Sequence, residues 1–384
     1  MKEISRGVAT AAAALLLILT GCTGPASKAT PAATTSLGGA DVAVYITEFV
    51  NGRTPSGRVV LYDRAGPVSM VGHQGIEGNG LVWDQAGLFF IDQTHDFQVN
   101  DTTVDQHRRS RDAGTVLGMA GDGQGRRVVL FNDGLASGHN HTGVGLYDGA
   151  KEQSQQDLLD STAYAIAYCG KGFYLAGPTI EIVTESALIR LDPSHNGNPQ
   201  LVGQRVPGEF LDDRMGAPCR SGAVIGLWTP FRNGPTSSIP MEIWQWDTNN
   251  GVIARAPLKS TTGAFRIDPR ATSSAMPRWL DGDDLLWVDA TGVGWRTNLD
   301  SGLTRKVRDG MIAYRGPIDA WTLAGDYLIG FEYLADNTAG RLQIYSAHSM
   351  ELLQSRDLPL LADVTPKGQQ VLAVAVRPGF APSA

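Results

Sequence analysis

The segment Arg278-Trp279-Leu280-Asp281-Gly282-Asp283-Asp284-Leu285-Leu286-Trp287-Val288 reads as a short strand, a tight turn and a more apolar strand. Gly294-Trp295-Arg296-Thr297-Asn298 follows it, a third strand closed by a turn residue. Short runs of apolar or alternating residues bounded by Gly, Asp and Asn are strand signals. Both parts of this unit recur. The strand–turn–strand part returns at residues 81–91, 116–131, 165–175, 217–227, 320–332 and 363–376. The single strand ending in Asp or a substitute returns as Val59-Val60-Leu61-Tyr62-Asp63, Val144-Gly145-Leu146-Tyr147-Asp148, Leu188-Ile189-Arg190-Leu191-Asp192 and Ile243-Trp244-Gln245-Trp246-Asp247. Degenerate copies are Leu342-Gln343-Ile344-Tyr345-Ser346 and Phe97-Gln98-Val99-Asn100, the latter filling the double gap between Asp63 and Asp148.

Each part occurs seven times, the two alternate, and the spacing is roughly 48 residues. No stretch sustains a 3.6-residue period. Four strands per repeat, repeated this often, predict an all-β seven-bladed β-propeller. We name the strands a to d from the axis outward, so that the strand–turn–strand part is a and b and the single strand is c. The chain begins with strand-like residues 42–49 and a c strand, and it ends on the apolar run 370–376 with no c strand after it. The N- and C-terminal strands are therefore expected to share one closing blade, with one or two strands drawn from the C-terminus. Such a closure removes the open edges that a linear sheet array would expose. A six- or eight-bladed ring is the next reading, and a pair of β-sandwiches the third. The strand pattern resembles the broad group of bacterial propellers of WD40, YVTN or TolB type over about residues 41–378, which implies fold without function.

The N-terminus carries a different signal. Lys2 and Arg6 precede an apolar run over residues 8–19, shorter than the roughly 20 residues a membrane-spanning helix needs. It ends in Leu19-Thr20-Gly21-Cys22, which resembles the lipobox of bacterial lipoproteins. The resemblance implies a signal peptide over 1–21 and acylation of Cys22. Residues 22–40, rich in Ala, Thr, Ser, Pro and Gly, have the composition of a flexible tether. A propeller over 41–378 and a short tail over 379–384 complete the expected organisation. The chain is expected outside the cytoplasm, held to the cell membrane by lipid.

A net charge of −7, with no basic run of five residues, argues against a nucleic-acid partner. Besides Cys22 the cysteines are Cys169 and Cys219, each at an a–b turn of neighbouring repeats. Adjacent inner strands converge near the axis, so these two are expected to form a disulfide in an oxidising compartment.

The repeat also sorts the connections. The a–b and c–d turns are short and share one face; the b–c and d–a loops are long and share the other. Long loops on a rigid scaffold are the usual place for binding residues. Arginine's planar fork suits carboxylates and phosphates, and the expected ligand residues are Arg214, Arg278, Arg108, Arg315, Asp213 and Asp319, around an anionic or sugar-like ligand. The competing reading pairs these arginines with loop carboxylates. His139 and His141, alternate residues of a b–c loop, are the one metal-like spacing.

Nucleophile-elbow, zinc-protease, phosphate-loop and sialidase signatures are absent from the sequence, and no cofactor is expected. The function expected is that of a monomeric, lipid-anchored binding module for an envelope protein or small ligand. The alternatives are an extracytoplasmic propeller enzyme of lyase or glycosidase type, or a zinc-binding chaperone of the kind known among exported propellers.

Overall fold

A computed structural model of the chain describes residues 37–48, 56–78, 80–136, 139–159, 165–170, 172–179, 182–191, 198–210, 216–229, 239–267, 271, 277–313, 321–334 and 340–382. Its strands form seven antiparallel blades in a closed ring. Blade 1 orders Gln369–Val376, Val42–Glu48, Gly57–Tyr62 and Pro67–His73 from the axis outward. Blade 2 comprises Leu81–Asp84, Gly87–Ile91, His95–Val99 and Val104–Arg108. Blade 3 comprises Thr115–Gly121, Arg126–Ala136, His139–Asp148 and Lys151–Leu159, and blade 4 Ala165–Cys169, Gly172–Thr179, Ile182–Leu191 and Pro199–Leu201. Blade 5 comprises Cys219–Arg220, Ala223–Thr229, Glu242–Asp247 and Ile253–Pro257. Blade 6 comprises Arg278–Asp281, Asp284–Val288, Gly294–Asn298 and Thr304–Arg308, and blade 7 Trp321–Ala324, Tyr327–Tyr333, Gly340–Ser346 and Leu352–Leu358.

The b strands are continuous apolar runs because both their faces are covered. Successive side chains of a strand point to opposite sides, and here they enter two different cores. In blade 3, Val128 and Leu130 pack toward blade 4 with Ile166 and Leu175, whereas Val129 and Phe131 pack toward blade 2 with Phe89. Blade 7 does the same: Leu328 joins Trp279 and Leu286 of blade 6, while Ile329 and Phe331 join Val42, Val44 and Val374 of blade 1.

Closure takes one strand from the C-terminus. Gln369–Val376 runs antiparallel to Val42–Glu48, with Val376 opposite Val42 and Gln369 opposite Glu48. The strand–turn–strand unit expected over 363–376 is therefore half right. Its first arm is a single helical turn, Leu361–Val364, whose Leu361 and Val364 are buried against blades 7 and 1. Pro366 has no N–H to give a ladder, and Gln369–Val376 itself takes the innermost place because the N-terminal Val42–Glu48 supplies strand b. The packed unit also reaches beyond 41–378 at both ends, for Leu37, Ala40 and Phe380 are buried.

Neighbouring blades lock at their outer turns. Gly251, with φ of 72°, sits in the c–d turn of blade 5, and a Cβ there would lie 2.5 Å from the Val202 carbonyl oxygen of blade 4. Gly302 makes the same close approach to the Pro257 carbonyl of blade 5. Only glycine permits both the positive φ and the contact.

Candidate functional site

Strands a and c run from the long-loop side to the short-turn side, and strands b and d run back, so the ring has a loop face and a turn face. On the axis, Leu81, Val82 and Trp83 of blade 2 face Trp321 and Leu323 of blade 7 across a channel of about 250 Å³. On the turn face a cleft of about 450 Å³ lies over the seam of blades 1 and 2, lined by Leu37, Asn100, Asp101 and Arg377. Trp83 and Asp84 line both spaces. They are the point at which axis and cleft meet.

Asp84 ends strand a of blade 2, and the turn after it needs its carboxylate. One oxygen accepts the Ala86 backbone N–H at 2.8 Å, and the other accepts Arg127 Nη2 at 2.7 Å. Arg127 is fully buried; its Nη1 donates to Gln98 Oε1 at 2.8 Å, and its guanidinium lies 4.2 Å from the centre of the Phe89 ring. Burial draws the Arg127 pKa below its ordinary value, and Asp84 pulls it back up. The pair joins blade 2 to blade 3 beneath the cleft. At the cleft's other wall Arg377 Nη2 donates to Asp101 at 2.6 Å, and Nη1 donates to the Gly38 carbonyl at 3.1 Å.

The loop face holds a second buried set. Arg109 donates to Asp96 Oδ1 at 2.6 Å and to the Asp92 carbonyl at 3.0 Å, over the Phe131 ring at 4.7 Å. Burial lifts Asp96 to about 6 against the pull of Arg109. Nearby, the His73 ring sits within 5.4 Å of the Tyr45 and Phe90 ring centres. Its Nδ1 accepts the Gly75 N–H at 2.8 Å, and burial lowers its pKa to about 4. His73 is neutral at physiological pH and packs as an aromatic.

Of the expected ligand residues, Arg214 and Asp213 lie outside the described residues, as do Arg315, Asp319 and the acylation candidate Cys22. Arg108 is exposed and engaged, with Nη2 2.7 Å from Asp112 and Nη1 donating to the Thr94 carbonyl at 2.9 Å. Arg111 pairs with Asp157 at 2.8 Å. Thus all three arginines of His107-Arg108-Arg109-Ser110-Arg111 meet carboxylates, the competing reading of that stretch. Arg278 opens strand a of blade 6 and is buried, 2% exposed. It sits across the ring from Arg108, so these two do not form one site. His139 and His141 lie on strand c of blade 3, opposite Ala136 and Gly134, rather than in a loop; an unusually long b–c hairpin extends there, and their side chains are not described. No group of three or more His, Cys, Asp or Glu converges for a metal among the described residues.

Cys169 and Cys219 are bonded, with Cα atoms 5.4 Å apart, and staple the a–b turns of blades 4 and 5 as expected. The sequence reading passed over Asp84 and Arg127. Asp84 has a signal, the Trp-Asp pair before Gly87, matched by Asp281 before Gly282 in blade 6. Arg127 has none, because a charged residue at the head of an apolar strand reads as exposed.

No family model matches the chain, and no curated protein does. Among solved structures it is similar to apo AztD from Citrobacter koseri, at 11% identity and TM-score 0.44 over 88% of this chain and 98% of that one. It is also similar to a putative 6-phosphogluconolactonase from Bacteroides fragilis, at 10% identity and TM-score 0.45 over 87% and 97%. BamB from Moraxella catarrhalis matches at 10% identity and TM-score 0.39 over 81% and 87%. The strand order, not these likenesses, establishes the propeller.

Proposed function

We propose that the chain is an exported lipoprotein whose propeller serves as a binding module at the cell envelope, carried on an acylated Cys22. The observation that carries the export is the Cys169–Cys219 bond, since disulfides persist mainly outside the cytosol. It is independent of the Leu19-Thr20-Gly21-Cys22 motif and agrees with it. The binding half rests on the meeting of channel and cleft at Trp83 and Asp84. The Trp83 indole beside the Asn100 amide suits a neutral, hydroxyl-rich ligand better than an anion, because the cleft's cation Arg377 is already held by Asp101.

Two measurements test this reading. Cells fed an alkyne-tagged fatty acid are expected to label the wild-type chain, and Cys22→Ala to abolish both the label and membrane retention. Label that survives in Cys22→Ala overturns the anchor. Neutral sugars and polyols are expected to change tryptophan fluorescence saturably; a response confined to anionic ligands overturns the ligand class.

A further inference from the structure

We infer that the meeting point of channel and cleft takes a neutral amphiphile, with a hydroxylated head in the cleft and a short alkyl or aryl group in the axial channel. This rests on the binding reading above and deepens it by giving the ligand a second, apolar part.

The two spaces share Trp83 and Asp84, yet their walls differ. Val82, Trp83, Met119, Trp321, Leu323 and Val374 line the channel, contributed by the innermost strands of blades 1, 2, 3 and 7. Asp84 and Thr322 are the only polar side chains among its described lining residues. Asp84 is already spent, for one carboxylate oxygen accepts the Ala86 N–H and the other accepts from Arg127. Leu323 leaves 43% of its surface uncovered on this wall, and Val82 is half-buried. Apolar side chains left wet inside a rigid ring gain free energy when an apolar group covers them.

Size and charge fix the two parts. An apolar cavity of about 150 Å³ admits benzene. The channel, at about 250 Å³, therefore has room for an aromatic ring or a chain of about six carbons. The cleft, at about 450 Å³, has amides and backbone turns in its wall. Asn100 Oδ1 accepts the Thr102 and Thr103 N–H groups at 2.9 Å, which leaves the amide nitrogen to donate to a ligand. Gln85, exposed on the same cleft, offers a second amide. An anionic head would have to draw Arg377 away from Asp101, 2.6 Å from its Nη2. It would also lie beside the Asp84 and Asp101 carboxylates. Hydroxyl groups require neither.

The test titrates the full chain by calorimetry with propane-, butane- and hexane-1,2-diol, and with hexanoate as the anionic member of the longest length. A chain that carries lipid is held in lipid nanodiscs, with empty discs as the blank. Affinity is expected to rise about fourfold per methylene up to the six-carbon diol, and hexanoate to bind more weakly than hexane-1,2-diol. Leu323→Gln, at an exposed side chain, is expected to flatten that rise. Gln85→Ala is expected to weaken every diol alike and to keep it. A rise that survives Leu323→Gln, or no rise while polyols and sugars still bind, overturns the apolar subsite and leaves the binding reading standing. Hexanoate that binds as tightly as the diol overturns the neutral head. A chain that binds no diol, polyol or sugar removes the binding reading, and the amphiphile falls with it.

Discussion

Asp84 of blade 2 and Asp281 of blade 6 occupy the same place in the repeat, the last residue of strand a, and each fastens its blade to the next. Their surroundings differ. Asp84 meets Arg127 at 2.7 Å with side chains 7% and 0% exposed. Asp281 meets His348 of blade 7 at 2.9 Å with side chains 24% and 60% exposed, and Arg296 of its own blade at 2.7 Å. One fastener lies under the cleft, roofed by the arriving and departing termini; the other lies open on the turn face. The same letter in the same register thus holds two blades together with very different force, because burial sets the local dielectric and leaves a buried charge dependent on its partner.

The comparison is broken most sharply by Arg127→Met. It strands Asp84 beneath the cleft without a counter-charge, and the expected loss is about 3–5 kcal/mol of unfolding free energy, read from denaturant midpoints. Adding Asp84→Ala to that variant is expected to recover part of the loss, since an absent pair costs less than half a pair. A double variant no more stable than Arg127→Met would show that Arg127 acts through its packing on Phe89 instead.

Between blades 4 and 5 the equivalent tier is covalent. Reducing or removing Cys169–Cys219 is expected to cost about 2–4 kcal/mol, with the native blades otherwise retained. A thermal midpoint that is the same with and without reductant would show that the apolar seam, in which Trp244 and Trp246 are fully buried, carries that joint alone.

The ring itself was legible in sequence because each blade's b strand is covered on both sides. Burial of both faces turns an alternating pattern into runs such as Val128-Val129-Leu130-Phe131, and the Asp-bounded c strands keep count between them. The disulfide was legible for the same reason, as the repeat fixes which turns are neighbours. The site was not. Arg127 resembles any strand-leading arginine until blade 2 is placed beside it, and Arg377 gains its role only where the termini meet, 339 residues from Gly38. The arginines of residues 107–111 advertise a site by density, yet each is consumed by a carboxylate: Arg108 by Asp112 in the same connection, Arg109 by Asp96 of the same blade and Arg111 by Asp157 of blade 3. Pairings between neighbouring blades leave no local trace in the sequence; the cavities lined by described residues open on the turn face, and the loops that hold Arg214 and Arg315 lie outside those residues.

The weaker fastener carries a pH signature near neutrality. Hydrogen bonds that the His348 ring donates to Asp281 and then to Asp326 raise its pKa above its ordinary value, and the bond from His348 lowers that of Asp281. Because the folded-state value is raised, the imidazolium stabilises the fold fully at pH below about 6.5, the unfolded value. The contribution fades as the pH rises through the raised folded value. His348→Ala is therefore expected to lower stability at pH 5–6 by less than about 1 kcal/mol, as befits an exposed pair, and to leave it unchanged once the imidazole is neutral. The mirror pattern, a deficit that grows with pH, would mean that His348 serves as a neutral hydrogen-bonding ring and not as the cation between two aspartates. Added salt separates the two fasteners again: it screens His348 within a Debye length of about 8–10 Å and leaves the enclosed Asp84–Arg127 pair nearly untouched.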